Sequence, residues 1–162
     1  MQLQLKNKAI VDVLAIDATL LTAACFIPTV SHLLAFPLYM LNPMLALLLI
    51  GILVGHDWRN ALALAVLMPL VSCLLVGMPT APKMVCMMAE LATVVGVFSL
   101  LSRYLSVFVS IATAIFAGKC VYYLLKAWII APAVLVDTVW WVQLGVVVLW
   151  GGLFAVFYEK VK

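Results

Sequence analysis

Apolar runs of membrane-spanning length fill almost the whole chain, broken only by proline, glycine or small knots of charge. That pattern leaves few folds open. A backbone crossing hydrocarbon finds no water for its N–H and C=O groups, so it must satisfy them internally, as a helix does. A spanning helix needs ~20 apolar residues. Six helices are expected, over about 9–27, 40–55, 59–76, 82–101, 104–127 and 137–158, the second being the short one. Hydrophobic residues make up 69% of the 162 positions and charged residues 9%. No soluble domain of that size hides so much apolar surface. The sequence therefore predicts an all-α membrane protein, a six-helix bundle forming one domain over 1–162.

The distribution of charge gives the expected orientation. With the N-terminus in the cytoplasm, Lys6, Lys8, Arg59, Arg103, Lys160 and Lys162 are cytoplasmic, while Lys83 and Lys126 fall outside. Six against two obeys the positive-inside rule, and both termini are then cytoplasmic. The net charge of +3 gives no reason to expect a nucleic-acid partner, because the basic residues sit at helix ends. The basic start, MQLQLKNK, is followed by no small-residue cleavage site, so removal as a signal peptide is not expected. The cytoplasmic turns, HDWRN and LSRYL, are tight. The external segments 28–39, 77–82 and 128–136 are longer and richer in proline, and such segments over a rigid scaffold are where binding usually resides.

Two charges lie inside the apolar runs. Glu90 falls roughly 12 Å below the outer surface on the fourth helix, and Lys119 roughly 10 Å below it on the fifth. A charge at membrane depth costs ~2.5–3.5 kcal/mol on insertion scales and is rarely idle. The two can form a structural ion pair, or both can face a ligand cavity; the sequence leaves both readings open. Lys119, Tyr122, Tyr123 and Lys126 follow i, i+3, i+4, i+7 spacing and share one helical stripe. Cations beside aromatic rings suit a planar or anionic ligand, although interfacial tyrosines also form a belt at the membrane surface. The belt reading extends to Trp140 and Trp141, while nothing in a belt requires the amide of Gln143.

Other polar positions have plainer readings. His32 is a lone histidine in the 28–39 segment. His56 is assigned a capping role beside Asp57 and Arg59. Asn42 before Pro43 marks a helix start. Met40, Met44, Met78, Met84, Met87 and Met88 cluster on the outer side, where methionine fills irregular space and adapts to ligands. Asp17 sits within the first helix with no evident partner. Ala15, Thr19 and Ala23 repeat beside it at the four-residue spacing that permits close helix approach. Cys25, Cys73, Cys86 and Cys120 form no CxxC pair, so neither a zinc site nor a disulfide framework is expected. The chain has no GxxxxGK[ST] phosphate loop, HExxH or GxSxG, so it is not expected to be an enzyme or to need a cofactor.

The segments PTVSHLLAFPLYMLNPMLALLLIGILVG and ALAVLMPLVSCLLVGMPTAPKMVCMMAELATVVGVFSLLSR resemble the substrate-binding S components of energy-coupling factor (ECF) vitamin transporters. The likeness is to the group that includes folate, pantothenate and riboflavin S components. It covers about residues 9–105, and its most specific piece is the GMP…P…MMAELA pattern at 77–92. The resemblance implies a six-helix bundle in a bacterial cytoplasmic membrane, with a ligand site in its outer half covered by the 28–39 loop. The implied site wall takes in His32, Lys83, Met87 and Glu90, and the outer parts of the last two helices. It further implies docking of the first helix, through a stripe of small residues, on a transmembrane coupling subunit served by two ATPase subunits. Ala15 and Ala23 fit that stripe and Thr19 interrupts it.

The leading expectation is a substrate-capture subunit for a vitamin or related heterocycle, with Asn42, Glu90, Lys119, Tyr122, Tyr123, Trp140 and Gln143 around the ligand. A stand-alone proton-coupled carrier using Glu90 and a non-transporting membrane assembly protein are the alternatives.

Overall fold

The computed structural model describes residues 2–33, 41–55, 57–129 and 140–161, with side chains described from Val11 onward apart from those of His32, Trp140, Trp141 and Val161. The described residues contain six helices and no strand: α1 (Gln2–Leu33), α2 (Pro43–Gly55), α3 (Trp58–Val76), α4 (Ala81–Leu101), α5 (Val107–Ile129) and α6 (Trp140–Val161). Five stretches are long and apolar enough to cross a membrane: Val11–Ser31, Trp58–Val76, Ala81–Leu101, Val107–Ile129 and Val142–Lys160. The expected six spans thus become five spans and one shorter apolar helix. At 13 residues, α2 is ~20 Å long against a hydrocarbon core of ~30 Å.

The expected end of the first helix near residue 27, just before Pro28, is also corrected, since α1 runs through that proline to Leu33. Pro28 removes the amide that would bond the Ala24 carbonyl. Long apolar helices tolerate such a loss where packed neighbours and nearby hydroxyls re-satisfy the backbone. Other boundaries follow local chemistry. Asp57 caps α3 by accepting a hydrogen bond from the Arg59 amide at 3.0 Å, while His56, expected to take a capping role, lies outside the described residues. Gly77 ends α3 in the left-handed conformation at φ 75°, where a side chain would be strained. Asn42 precedes Pro43 with φ 48°, and its carbonyl accepts from the Leu45 and Ala46 amides.

The helices pack in sequence, α3 on α4, α4 on α5 and α5 on α6, with α2 closing the ring between α3 and α6 and α1 lying outside on α2 and α3. The buried core joins Leu45 and Leu48 of α2, Leu64 and Met68 of α3, Leu91 and Val94 of α4, Ile111 and Ile115 of α5 and Phe154 of α6. Large apolar side chains such as Leu74, Leu75, Leu124, Val148 and Val156 point outward. An outward apolar belt over such helices is what a bilayer accepts, and the protein is a multi-pass membrane protein on that ground.

The two ends of the bundle differ. At the end where α2–α3 and α4–α5 turn, Phe98 meets Phe154 edge-on at 5.2 Å between ring centroids, and Phe154 stacks on Tyr158 at 5.4 Å. Asp17 finds its partner at the same end, because Asn60 in the first turn of α3 donates to its Oδ1 at 3.1 Å. The N-terminus of α3 carries positive partial charge, which suits a carboxylate there. A double-mutant cycle on Asp17→Leu and Asn60→Leu, followed by thermal unfolding in detergent micelles, should show a coupling of about 0.5–2 kcal/mol. Additive effects would mean that the contact does not hold α1 to α3.

Candidate functional site

At the opposite end, where α2, α4 and α6 begin, a polar cluster is sunk among the helices. Glu90 lies nine residues inside α4 and Lys119 ten residues before the end of α5, so both sit ~14–15 Å below that end. Their depths match and the side chains meet: Lys119 Nζ stands 2.7 Å from Glu90 Oε1. The Asn42 side-chain amide donates to the same oxygen at 2.9 Å. Side-chain exposure is 13% for Lys119 and 4% for Glu90, so water screens the pair little. One carboxylate oxygen therefore ties α4 to α5 and to the residue that opens α2.

The backbone makes room for this meeting. A Cβ on Gly118 would lie 2.7 Å from Val94 Cγ2 and 3.0 Å from the Glu90 carbonyl oxygen. Only glycine lets α5 come this close to α4, and the neighbouring residue is Lys119. The chain entering α2 is held from the other side as well, since the Trp150 indole N–H of α6 donates to the Leu41 carbonyl at 2.7 Å. Gly118, Trp150 and Asn60 were not singled out by sequence reasoning. Gly118 looks like any small residue of a helix, and an indole N–H is hidden within a residue counted as apolar.

The other expected site residues divide around this cluster. Lys119 lies 5.6 Å from the centroid of the Tyr122 ring, and Tyr122 meets Tyr123 edge-on at 5.4 Å. Tyr123 and Gln143 line a cleft of ≈ 510 Å³ between α5 and α6 whose wall also includes Lys119. Glu90 and Asn42 are not among its lining residues. Met87 packs against the core one turn before Glu90, and Lys83 is exposed near the start of α4. Lys126 is buried, at 8% exposure. The side chains of His32 and Trp140 lie outside the described residues. Ala15 and Thr19 face outward on α1 and Ala23 is half-buried, while Leu20 and Ala24 face the bundle. Among the described residues, no group of three or more His, Cys, Asp or Glu side chains is placed to hold a metal ion.

Compared with family models, with curated proteins and with solved structures, the chain matches none.

Chemically, the cluster offers a fixed negative charge, a fixed positive charge and an amide within one hydrogen-bonding radius, in a medium of low dielectric. It can lock three helices, and it can exchange one of its internal hydrogen bonds for one to a polar ligand. Glu90→Gln and Lys119→Met should each destabilise the fold by about 3–5 kcal/mol, because each strands the partner's charge. The double variant should regain most of that loss. Melting of the purified variants checks this, and a double variant no better than the singles would show that the charges do not act on each other. Gly118→Val should lower the melting temperature strongly by forcing α5 away from Glu90, whereas Gly145→Ala, which meets open space, should not.

Proposed function

We propose that this protein is the substrate-binding subunit of an ECF-type importer in a bacterial cytoplasmic membrane, capturing a vitamin or related heterocycle from outside. The observation that carries this reading is the Asn42–Glu90–Lys119 cluster, buried ~14 Å below the end at which α4 begins. Charges at such depth are expensive and mark binding sites more often than not. The order of motifs from PTVSH to MMAELA supports the same reading from the chain itself.

In this proposal both termini are cytoplasmic, so the cluster lies in the outer half of the bundle, and α2 completes a six-helix bundle without spanning the whole bilayer. A ligand carrying a hydrogen-bond donor and an acceptor takes over part of the Glu90–Lys119–Asn42 bonding, and Tyr122 offers its ring face nearby. The outward stripe Ala15, Thr19 and Ala23 of α1 docks on a transmembrane coupling subunit. Its hydroxyl does not oppose such docking, since Thr19 Oγ1 donates back to the Ala15 carbonyl at 2.8 Å. Two ATPase subunits supply the energy. A second reading, a non-transporting assembly protein, draws on the directness of the 2.7 Å pair, which is already satisfied within the chain.

Mass spectrometry of the purified protein separates the two. The capture reading expects a small heterocycle to co-purify, and the double variant Glu90→Gln/Lys119→Met to remain folded but free of it. A folded protein that carries no small molecule and gains no thermal stability from any of a panel of vitamins would favour the assembly reading. Orientation has its own test: on intact cells, a membrane-impermeant maleimide should label Lys83→Cys and leave Arg103→Cys unlabelled.

A further inference from the structure

The cleft between α5 and α6 has features that the Glu90 cluster does not explain. Its outer wall on α5 is Phe116, Cys120 and Leu124, a stripe at four-residue spacing, and its α6 wall includes Gln143, Leu144 and Val147. Phe116, Leu124 and Leu144 are 57%, 70% and 49% exposed and Cys120 is exposed, so the cleft opens sideways from the bundle. In a bilayer, that opening faces acyl chains rather than water. A volume of ≈ 510 Å³ falls within the ~300–1,000 Å³ of small-molecule sites.

A second, independent observation concerns Gln143. Its Oε1 is buried and is the one buried side-chain polar atom without a hydrogen-bond partner among the described residues. Leaving such an acceptor unmet costs about 1–3 kcal/mol, and in hydrocarbon no water relieves it. Gln143 is a lining residue of the cleft, whose other α6 residues are apolar, and its oxygen lies covered just behind that wall. A terminal torsion of glutamine turns readily, so the amide can swing its covered oxygen toward a donor seated in the cleft.

We propose that this cleft is a lateral binding site for a membrane-dissolved amphipathic molecule, with an apolar body lying along Phe116, Cys120 and Leu124 and a hydroxyl or N–H donor meeting Gln143 Oε1. The molecule reaches the site from the bilayer, and the site holds whether or not the Glu90 cluster captures a water-borne heterocycle. Lys119 belongs to both places, pairing with Glu90 on one side and lining the cleft on the other.

Cys120 reports occupancy without being the site. The full chain is placed in phosphatidylcholine nanodiscs, whose lipids carry no hydroxyl or N–H donor, and is treated with N-ethylmaleimide. The adduct at Cys120 is measured by peptide mass spectrometry against that at Cys73, which lies on α3 away from the cleft. The probes are dodecanol and dodecyl methyl ether, which share an apolar body and differ in the donor. The expected result is that dodecanol slows the Cys120 reaction, with the Cys73 rate unchanged, at roughly three- to tenfold lower concentration than the ether. Gln143→Leu should bring the alcohol to the level of the ether while keeping protection by both. Equal protection by the two probes in the unaltered protein, no protection by either, or a preference for the alcohol that survives in Gln143→Leu would each overturn the proposal.

Discussion

One carboxylate oxygen organises the polar end of this bundle. Glu90 Oε1 accepts from both Lys119 Nζ and Asn42 Nδ2, so three helices converge on a single atom. Neither charge could remain alone at that depth, and together with the amide they satisfy each other at short range. Much of the surrounding sequence follows from that need. Gly118 gives α5 the close approach that brings the next residue to the carboxylate. Asn42 adopts φ 48°, a conformation asparagine tolerates better than most residues, and so places its amide over Glu90 while its carbonyl starts α2.

The opposite end is held by other means. Phe98, Phe154 and Tyr158 pack ring against ring across α4 and α6, and Asp17 is fixed by Asn60 at the start of α3. Aromatic packing resists rearrangement because each ring has few rotamers and a large contact area. The bundle is thus held largely by ring packing at one end and by hydrogen bonds to a single carboxylate at the other.

How far the sequence could be read depended on the range of the interaction. Helices were legible because hydrocarbon imposes one backbone solution, and the boundaries of α3 and α4 follow Asp57, Gly77 and Pro82 closely. The meeting of Glu90 and Lys119 was legible as one of two possibilities because depth along a helix is counting at ~1.5 Å per residue. Asp17 was not: its partner Asn60 lies on a helix whose adjacency to α1 no local pattern announces. Pro28 misled for a related reason. Proline stops helices in water, but in an apolar segment of membrane-spanning length breaking the helix would leave more backbone groups unmet than the one amide that proline removes. Gln143 was marked as odd from sequence alone, and its buried, unpartnered oxygen makes the oddity physical.

The short second helix links fold and site most directly. α2 has 13 residues and ends at Gly55, and α3 has 19 and begins at Trp58, so the two meet at one end. The six-residue difference places the start of α2 ~9 Å short of the end of α3. Asn42 therefore joins the bundle below its end, near the depth that Glu90 reaches from its own helix. A full-length α2 would open nearer the surface, and the Asn42 amide would then pass above the carboxylate. Sinking the polar cluster into the bundle and shortening α2 are thus one structural choice, and any ligand that bonds to Glu90 must compete with the residue from which α2 begins.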